Sequence, residues 1–142
     1  MKDAVEQLVA AGELGEAARV LGHPFEVEGL VVEGDRRGKA LGFPTANLEV
    51  APHQLLPPKG IYAGAALGHR AAVSIGVNPH YGGTVLRVEA HLLDFEGDLY
   101  GRQLLLELWE RLRDERAFES EAELVAQIAR DVEATRAARR PG

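Results

Sequence analysis

Ile61-Tyr62-Ala63-Gly64-Ala65-Ala66-Leu67-Gly68-His69-Arg70-Ala71-Ala72-Val73-Ser74-Ile75-Gly76-Val77 decides the fold. Two runs of small and β-branched residues, Ile61 to Leu67 and Ala71 to Val77, flank Gly68-His69-Arg70. Strand-forming runs that close around a glycine-bearing turn read as a β-hairpin. Working outward, Phe25, Val27 and Val31 alternate with polar or small residues upstream. Downstream, Val85 to Phe95 and Gln103 to Leu112 form another pair, split by Glu96-Gly97-Asp98 and by Gly101. Many short strands punctuated by Gly and Pro specify a mainly β barrel or sandwich, not a parallel α/β sheet. The 16 glycines suit tight barrel corners.

Both ends are helical. Val5, Leu8 and Val9 form one apolar stripe ended by Gly12, and Leu14, Ala17, Ala18 and Leu21 a second ended by Gly22 with Pro24 beyond. Residues 1–22 therefore read as a helical appendage and 23–138 as the barrel with its closing helix. Ser120-Glu121-Ala122-Glu123 is a capping box: Ser120 caps the amide of Glu123 and Glu123 reaches back. Leu124, Ile128 and Val132, with Val125 and Ala129 beside them, are expected to close one side of the barrel.

Composition narrows the function. The chain has 142 residues, 46% of them hydrophobic, which fits one domain with its own core. It has no cysteine, which excludes disulfides, thiolate metal sites and a cysteine nucleophile. No apolar run approaches the ~20 residues of a membrane span, and Met1 to Ala11 lacks the order of a signal peptide. A cytoplasmic protein without a membrane partner is expected. The net charge of −6 disfavours a nucleic-acid partner. Of the local basic clusters, Arg36, Arg37 and Lys39 suit a small anion, and Arg136, Arg139 and Arg140 read as a solvated tail.

Four stretches carry candidate chemistry. Gly34-Asp35-Arg36-Arg37-Gly38-Lys39 offers amides and cations, but Ala40 stands where a Walker loop needs Ser or Thr, and Pro44 prevents a following helix. Turn chemistry alone also explains it. In Thr45-Ala46-Asn47, an extended backbone points Thr45 and Asn47 the same way, about 7 Å apart along the strand. Two neutral oxygens suit Mg²⁺ completed by phosphates and water, or they bond the local backbone. In Val85-Leu86-Arg87-Val88-Glu89-Ala90-His91-Leu92, Arg87, Glu89 and His91 share one face. Glu89, kept ionised by its arginine neighbour, is placed to act as a base, although an ordinary solvent face has the same pattern. Leu112 to Ser120 joins the last strand to the helix, and its charges and Phe118 either grip a ligand edge or are simply solvated. The remaining histidines lack metal-like spacing, and no Gly-x-Ser-x-Gly elbow is present.

The blocks gain meaning from their order. Arg37-Gly38-Lys39-x-Leu41-Gly42-Phe43-Pro44-Thr45-Ala46-Asn47-Leu48, Pro58-x-Gly60-Ile61-Tyr62, Ser74-Ile75-Gly76-Val77-Asn78-Pro79, Glu89-x-His91-Leu92-Leu93-Asp94-Phe95, Asp98-Leu99-Tyr100-Gly101 and Leu112-Arg113-x-Glu115-x-x-Phe118-x-Ser120 together resemble the riboflavin kinase family, from about Gly22 to Arg136. The resemblance implies a six-stranded antiparallel Greek-key barrel with a C-terminal helix. It implies transfer of the γ-phosphoryl of ATP to the ribityl 5′-hydroxyl of riboflavin, giving FMN and ADP. By position, Thr45 and Asn47 look like the Mg²⁺ and phosphate ligands, and Gly34 and Lys39 like part of a flap over the nucleotide. Glu89 looks like the base. His91, Leu92 and Tyr100 fall where the family lines its nucleotide site, and Arg113, Arg116 and Phe118 where it holds the flavin. A monomer acting on small molecules is expected.

Two departures stand out. His80-Tyr81 replaces the Thr-Phe usual in bacterial members. Val5 to Pro24 resembles the last helices of the adenylyltransferase domain of bacterial bifunctional FAD synthetases, but that domain's nucleotide-binding signature is absent, so FAD synthesis is not expected. A non-catalytic flavin-binding module is the alternative, although such a module has no need of Thr45, Asn47 and Glu89 together.

Overall fold

A computed structural model describes residues 2–32, 45–77 and 86–142. In chain order these form α1 (Lys2–Ala10), α2 (Leu14–Leu21), β1 (Phe25–Val32), β2 (Ala46–Val50), β3 (Gly60–Ala66), β4 (His69–Val77), β5 (Leu86–Leu92), β6 (Gln103–Arg113) and α3 (Glu121–Ala137). The six described strands close a barrel in the order β1-β2-β5-β4-β3-β6, with every pair antiparallel. Strands β3, β4 and β5 lie side by side and β6 returns beside β3, which is the Greek-key order.

The 61–77 hairpin forms, with a tighter turn than the sequence suggests. Ala66 pairs with His69, leaving only Leu67 and Gly68 in the turn, with φ of 53° and 78°. Positive φ at both positions matches the right-handed twist of the strands, so His69 and Arg70 belong to β4. The expected pairing of the next two strands does not occur. β5 lies between β2 and β4, and β6 between β3 and β1. Closure of the barrel needs β6 at the seam, and adjacency in sequence does not override it.

Alternation is regular where one face is wet. On β1, Val27 and Val31 point inward and Glu28 outward. On β5, Val88 and Ala90 are each 1% exposed, while Arg87, Glu89 and His91 are half-buried on the outer face. β3 is different: all of its residues but Ala65 are buried. The barrel interior covers one face and α3 lies against the other, which accounts for its run of small residues.

Both termini are fastened to the barrel. Val9, Leu14 and Ala17 belong to the same apolar cluster as the strand residues Val27, Leu106 and Leu108, and α2 rests on β1 and β6. Gly22 ends α2 at φ 82°, as expected. Ser120 Oγ accepts from the Glu123 amide at 3.1 Å, but Glu123 reaches the amide of Glu119 at 3.3 Å rather than that of Ser120.

The apolar stripe of α3 is only half-buried and Ala129 is exposed; the buried helix residues are Asp131 and Thr135. The basic tail is not simply solvated. Arg136 makes two bonds to Asp94 at 2.8 and 3.0 Å, Arg140 makes two to Glu107 at 3.2 Å, and Ala138 is buried. Hydrogen bonds from Arg136 hold the Asp94 carboxyl below its usual range. Burial pushes Glu107 upward, but the bonds from Arg140 and Trp109 outweigh it and leave Glu107 lowered.

Candidate active site on the barrel wall

Register brings distant residues together. Asn47 pairs with Glu89, and Glu89 with Ser74, across β2, β5 and β4. Their neighbours Leu48, Val88, Val73 and Ile75 fill the interior. Asn47, Glu89 and Ser74 therefore form a row on the outer wall, with facing Cα atoms about 5 Å apart. The row continues through Ile61 to Arg113. Ala46 pairs with Ala90, so Thr45, the residue before it, lies at the level of His91.

Charge gathers on the same wall. Arg87 Nε lies 2.8 Å from Glu89 Oε1. Side chains two apart on a strand share a face, so the pair is local. Across the ladder from Arg87 is Gly76. A Cβ on Gly76 would fall 2.3 and 2.6 Å from the carboxylate oxygens of Glu115, so that carboxylate rests where a side chain would otherwise stand. The wall thus presents amide, carboxylate, guanidinium and hydroxyl groups within a few residues of one another. It can orient a hydroxyl, accept a proton and meet an anion.

The other expected site residues are placed as follows. His91 is half-buried opposite Ala72 on the outer wall. The Leu92 side chain is 7% exposed within the core, so only its backbone faces outward. Tyr100 is 58% exposed on a turn whose neighbours Gly101 and Arg102 bond Val31 of β1. It therefore lies two strands from β5. Arg116 stacks over the Phe118 ring at 4.6 Å, within the loop that follows β6. The Arg113 guanidinium turns toward α3 and binds Asp131. Gly34, Lys39 and His80-Tyr81 lie outside the described residues.

Sequence reasoning assigned no role to Ser74, Glu115 or Asp131. Alternation along β4 is enough to turn Ser74 outward, but only the β4–β5 register sets it beside Glu89. Asp131 had a signal, because it is an acid in line with Leu124, Ile128 and Thr135 on one helix face. Among the described residues no group of three or more His, Asp or Glu side chains is arranged to hold a metal ion.

The chain is thus a closed Greek-key barrel with a polar row on its wall and a loop anchored by a C-terminal helix. The family model described as Flavokinase, riboflavin kinase, matches residues 21–139, and the chain belongs to the riboflavin kinase family. It is 44% identical over 133 residues to the bifunctional riboflavin kinase/FMN adenylyltransferase of Escherichia coli K12, covering 90% of this chain and 42% of that protein. Against the bifunctional protein of Listeria monocytogenes, identity is 35% over 138 residues, covering 94% and 44%. The chain thus spans under half the length of these relatives.

Among solved structures, riboflavin kinase from Trypanosoma brucei superposes with a TM-score of 0.61 at 28% identity, covering 80% of this chain and 78% of that one. A crystal structure described as a macrolide-efflux protein from Streptococcus pneumoniae superposes at 0.87 and 34% identity, covering 96% and 46%. Among the described residues, no helix is long and apolar enough to cross a membrane.

Proposed function

We propose that the chain is a riboflavin kinase that moves the γ-phosphoryl of ATP to the ribityl 5′-hydroxyl of riboflavin. The observation that carries this reading is the Asn47–Glu89 pairing, which sets a neutral oxygen donor directly beside a carboxylate on one wall. Glu89 takes the proton of the 5′-hydroxyl as that oxygen bonds to the γ-phosphorus. The bond from phosphorus to the bridging oxygen breaks, and ADP leaves. Arg87 Nε, 2.8 Å from Glu89 Oε1, sets a positive charge beside that carboxylate.

Thr45 and Asn47 would hold Mg²⁺. Two neutral oxygens suit a cation that takes its other ligands from phosphate and water. The cation would neutralise charge on the transferring phosphate. Gly34 and Lys39 are assigned to the phosphates, His91, the Leu92 backbone and Tyr100 to the nucleotide, and Arg116 and Phe118 to the flavin. The reading takes the chain as a monomer acting on small molecules and making FMN but not FAD. The net charge of −6 supports the absence of a nucleic-acid partner.

Incubation with riboflavin, ATP and Mg²⁺, followed by chromatography, tests this directly. FMN without FAD is expected, and absence of FMN would overturn the reading. Glu89→Gln should lower turnover by about 10²- to 10⁴-fold while riboflavin still binds by fluorescence. Near-normal turnover would remove Glu89 as the base.

A further inference from the structure

The loop after β6 is fastened where it leaves the barrel. Arg111 Nη2 donates to Asp114 Oδ1 at 2.6 Å and to the Lys59 carbonyl at 2.7 Å. Arg113 Nη1 donates to the Asp114 carbonyl at 2.8 Å. Asp114 is therefore gripped by its side chain and its backbone at once. Arg113 in turn makes a two-pronged contact with Asp131 on α3, from Nε at 2.9 Å and Nη2 at 2.8 Å. Asp131 is 7% exposed and also accepts from Gln127 Nε2 at 3.0 Å.

The helix that carries Asp131 is itself pinned. Arg70 Nη1 donates to the Thr135 and Ala138 carbonyls, and its guanidinium lies 5.1 Å from the centre of the Trp109 ring. Farther along the loop, Glu115 rests over Gly76 and Arg116 lies over Phe118. A continuous chain of contacts thus runs from the β3–β4 hairpin through α3 to residues 114–118.

We propose that Asp131 and Asp114 are positioning residues that hold the 114–120 loop in its flavin-receiving form, and that the Arg113 guanidinium acts through this loop rather than by touching the flavin. The assignment rests on the kinase reading above. Three of the five Arg113 N–H donors are engaged by Asp131 and Asp114. Turning the guanidinium to a ligand would leave a buried carboxylate uncompensated, which is strongly unfavourable. A planar fork matched to a carboxylate is also a rigid link, one that lysine cannot replace.

The test is Asp131→Asn, which keeps the shape and removes the charge. The riboflavin KM should rise about tenfold, with kcat within about twofold and the ATP KM unchanged, the signature of lost binding without lost chemistry. In the ligand-free protein, tryptic cleavage after Arg116 should accelerate. An unchanged riboflavin KM, equal rises in both KM values or unchanged cleavage would overturn the proposal. If Asp131→Asn fails to fold, Asp114→Asn replaces it, because that side chain is 87% exposed. The same measurements then support or overturn the proposal in the same way. Failure of the wild-type chain to make FMN would refute the kinase reading itself, and cleavage after Arg116 would still decide whether these carboxylates anchor the loop.

Discussion

Adding one methyl group should be costly at Gly64 and nearly neutral at Gly76. At Gly64 a Cβ would lie 1.9 Å from the Glu107 carbonyl oxygen and 2.9 Å from its carbon. Carbon–oxygen contacts settle near 3.3 Å or more, so the overlap is over an ångström, and both colliding groups are backbone. β3 and β6 must separate at the Gly64–Leu108 and Ala65–Glu107 pairs. A shift of about 1 Å takes a 2.9 Å ladder bond out of bonding range. Two such bonds at about 1 kcal/mol each, with overpacking of about 1–3 kcal/mol, give about 3–5 kcal/mol. The lower chain entropy of alanine returns under about 1 kcal/mol. Against a typical stability of about 5–15 kcal/mol, the loss is large.

At Gly76 the collision is with the end of an exposed glutamate side chain, 2.3 and 2.6 Å away, which can swing aside. Gly76→Ala should therefore stay within about 1 kcal/mol of wild type, while it displaces Glu115 from the wall. Urea unfolding with matched m values measures both variants. A Gly64→Ala cost below about 1 kcal/mol, or equal costs for the two variants, would refute the reasoning.

Two further outcomes are expected. Leu67 sits at φ 53° and is 46% exposed, so Leu67→Asn, which creates the Asn-Gly pair favoured in this turn, should stabilise by about 1 kcal/mol, read by urea denaturation. Asp94 and Glu107 have lowered folded-state pKa values, so their contribution is present above the unfolded carboxylate range of about 4 and lost as pH falls through the lower folded values. Glu107→Gln should lower the melting temperature at pH 7 and flatten its fall below about pH 4.5, and parallel melting curves for variant and wild type would count against this.

Much of the barrel was legible locally. Alternation placed Val88 and Ala90 inside and Glu89 outside, because period-two patterning is a property of the strand alone. The Gly22 terminus and the Ser120 cap were equally readable, since each involves groups within a few residues. Strand order was less so: β5 and β6 are consecutive yet not partners, because the chain must close a cylinder and sequence distance does not encode the seam. The acidic partners of the basic tail were hidden for the same reason, as Asp94 and Glu107 lie far back in the chain.

The site divides along the same line. Thr45, Asn47 and Glu89 could be singled out as candidates from the sequence by residue type and by the order of their blocks, because the chemistry of neutral oxygens and a carboxylate belongs to the side chains themselves. That Asn47, Glu89 and Ser74 face one another follows only from register across three strands, and a slip of one residue would turn each to the other face. Arg113 shows the limit most plainly. Its place in the sequence suggested a ligand contact, and only the packing of α3 against the barrel directs its guanidinium to the buried Asp131, because a charge removed from water must meet its counter-charge wherever the fold brings one.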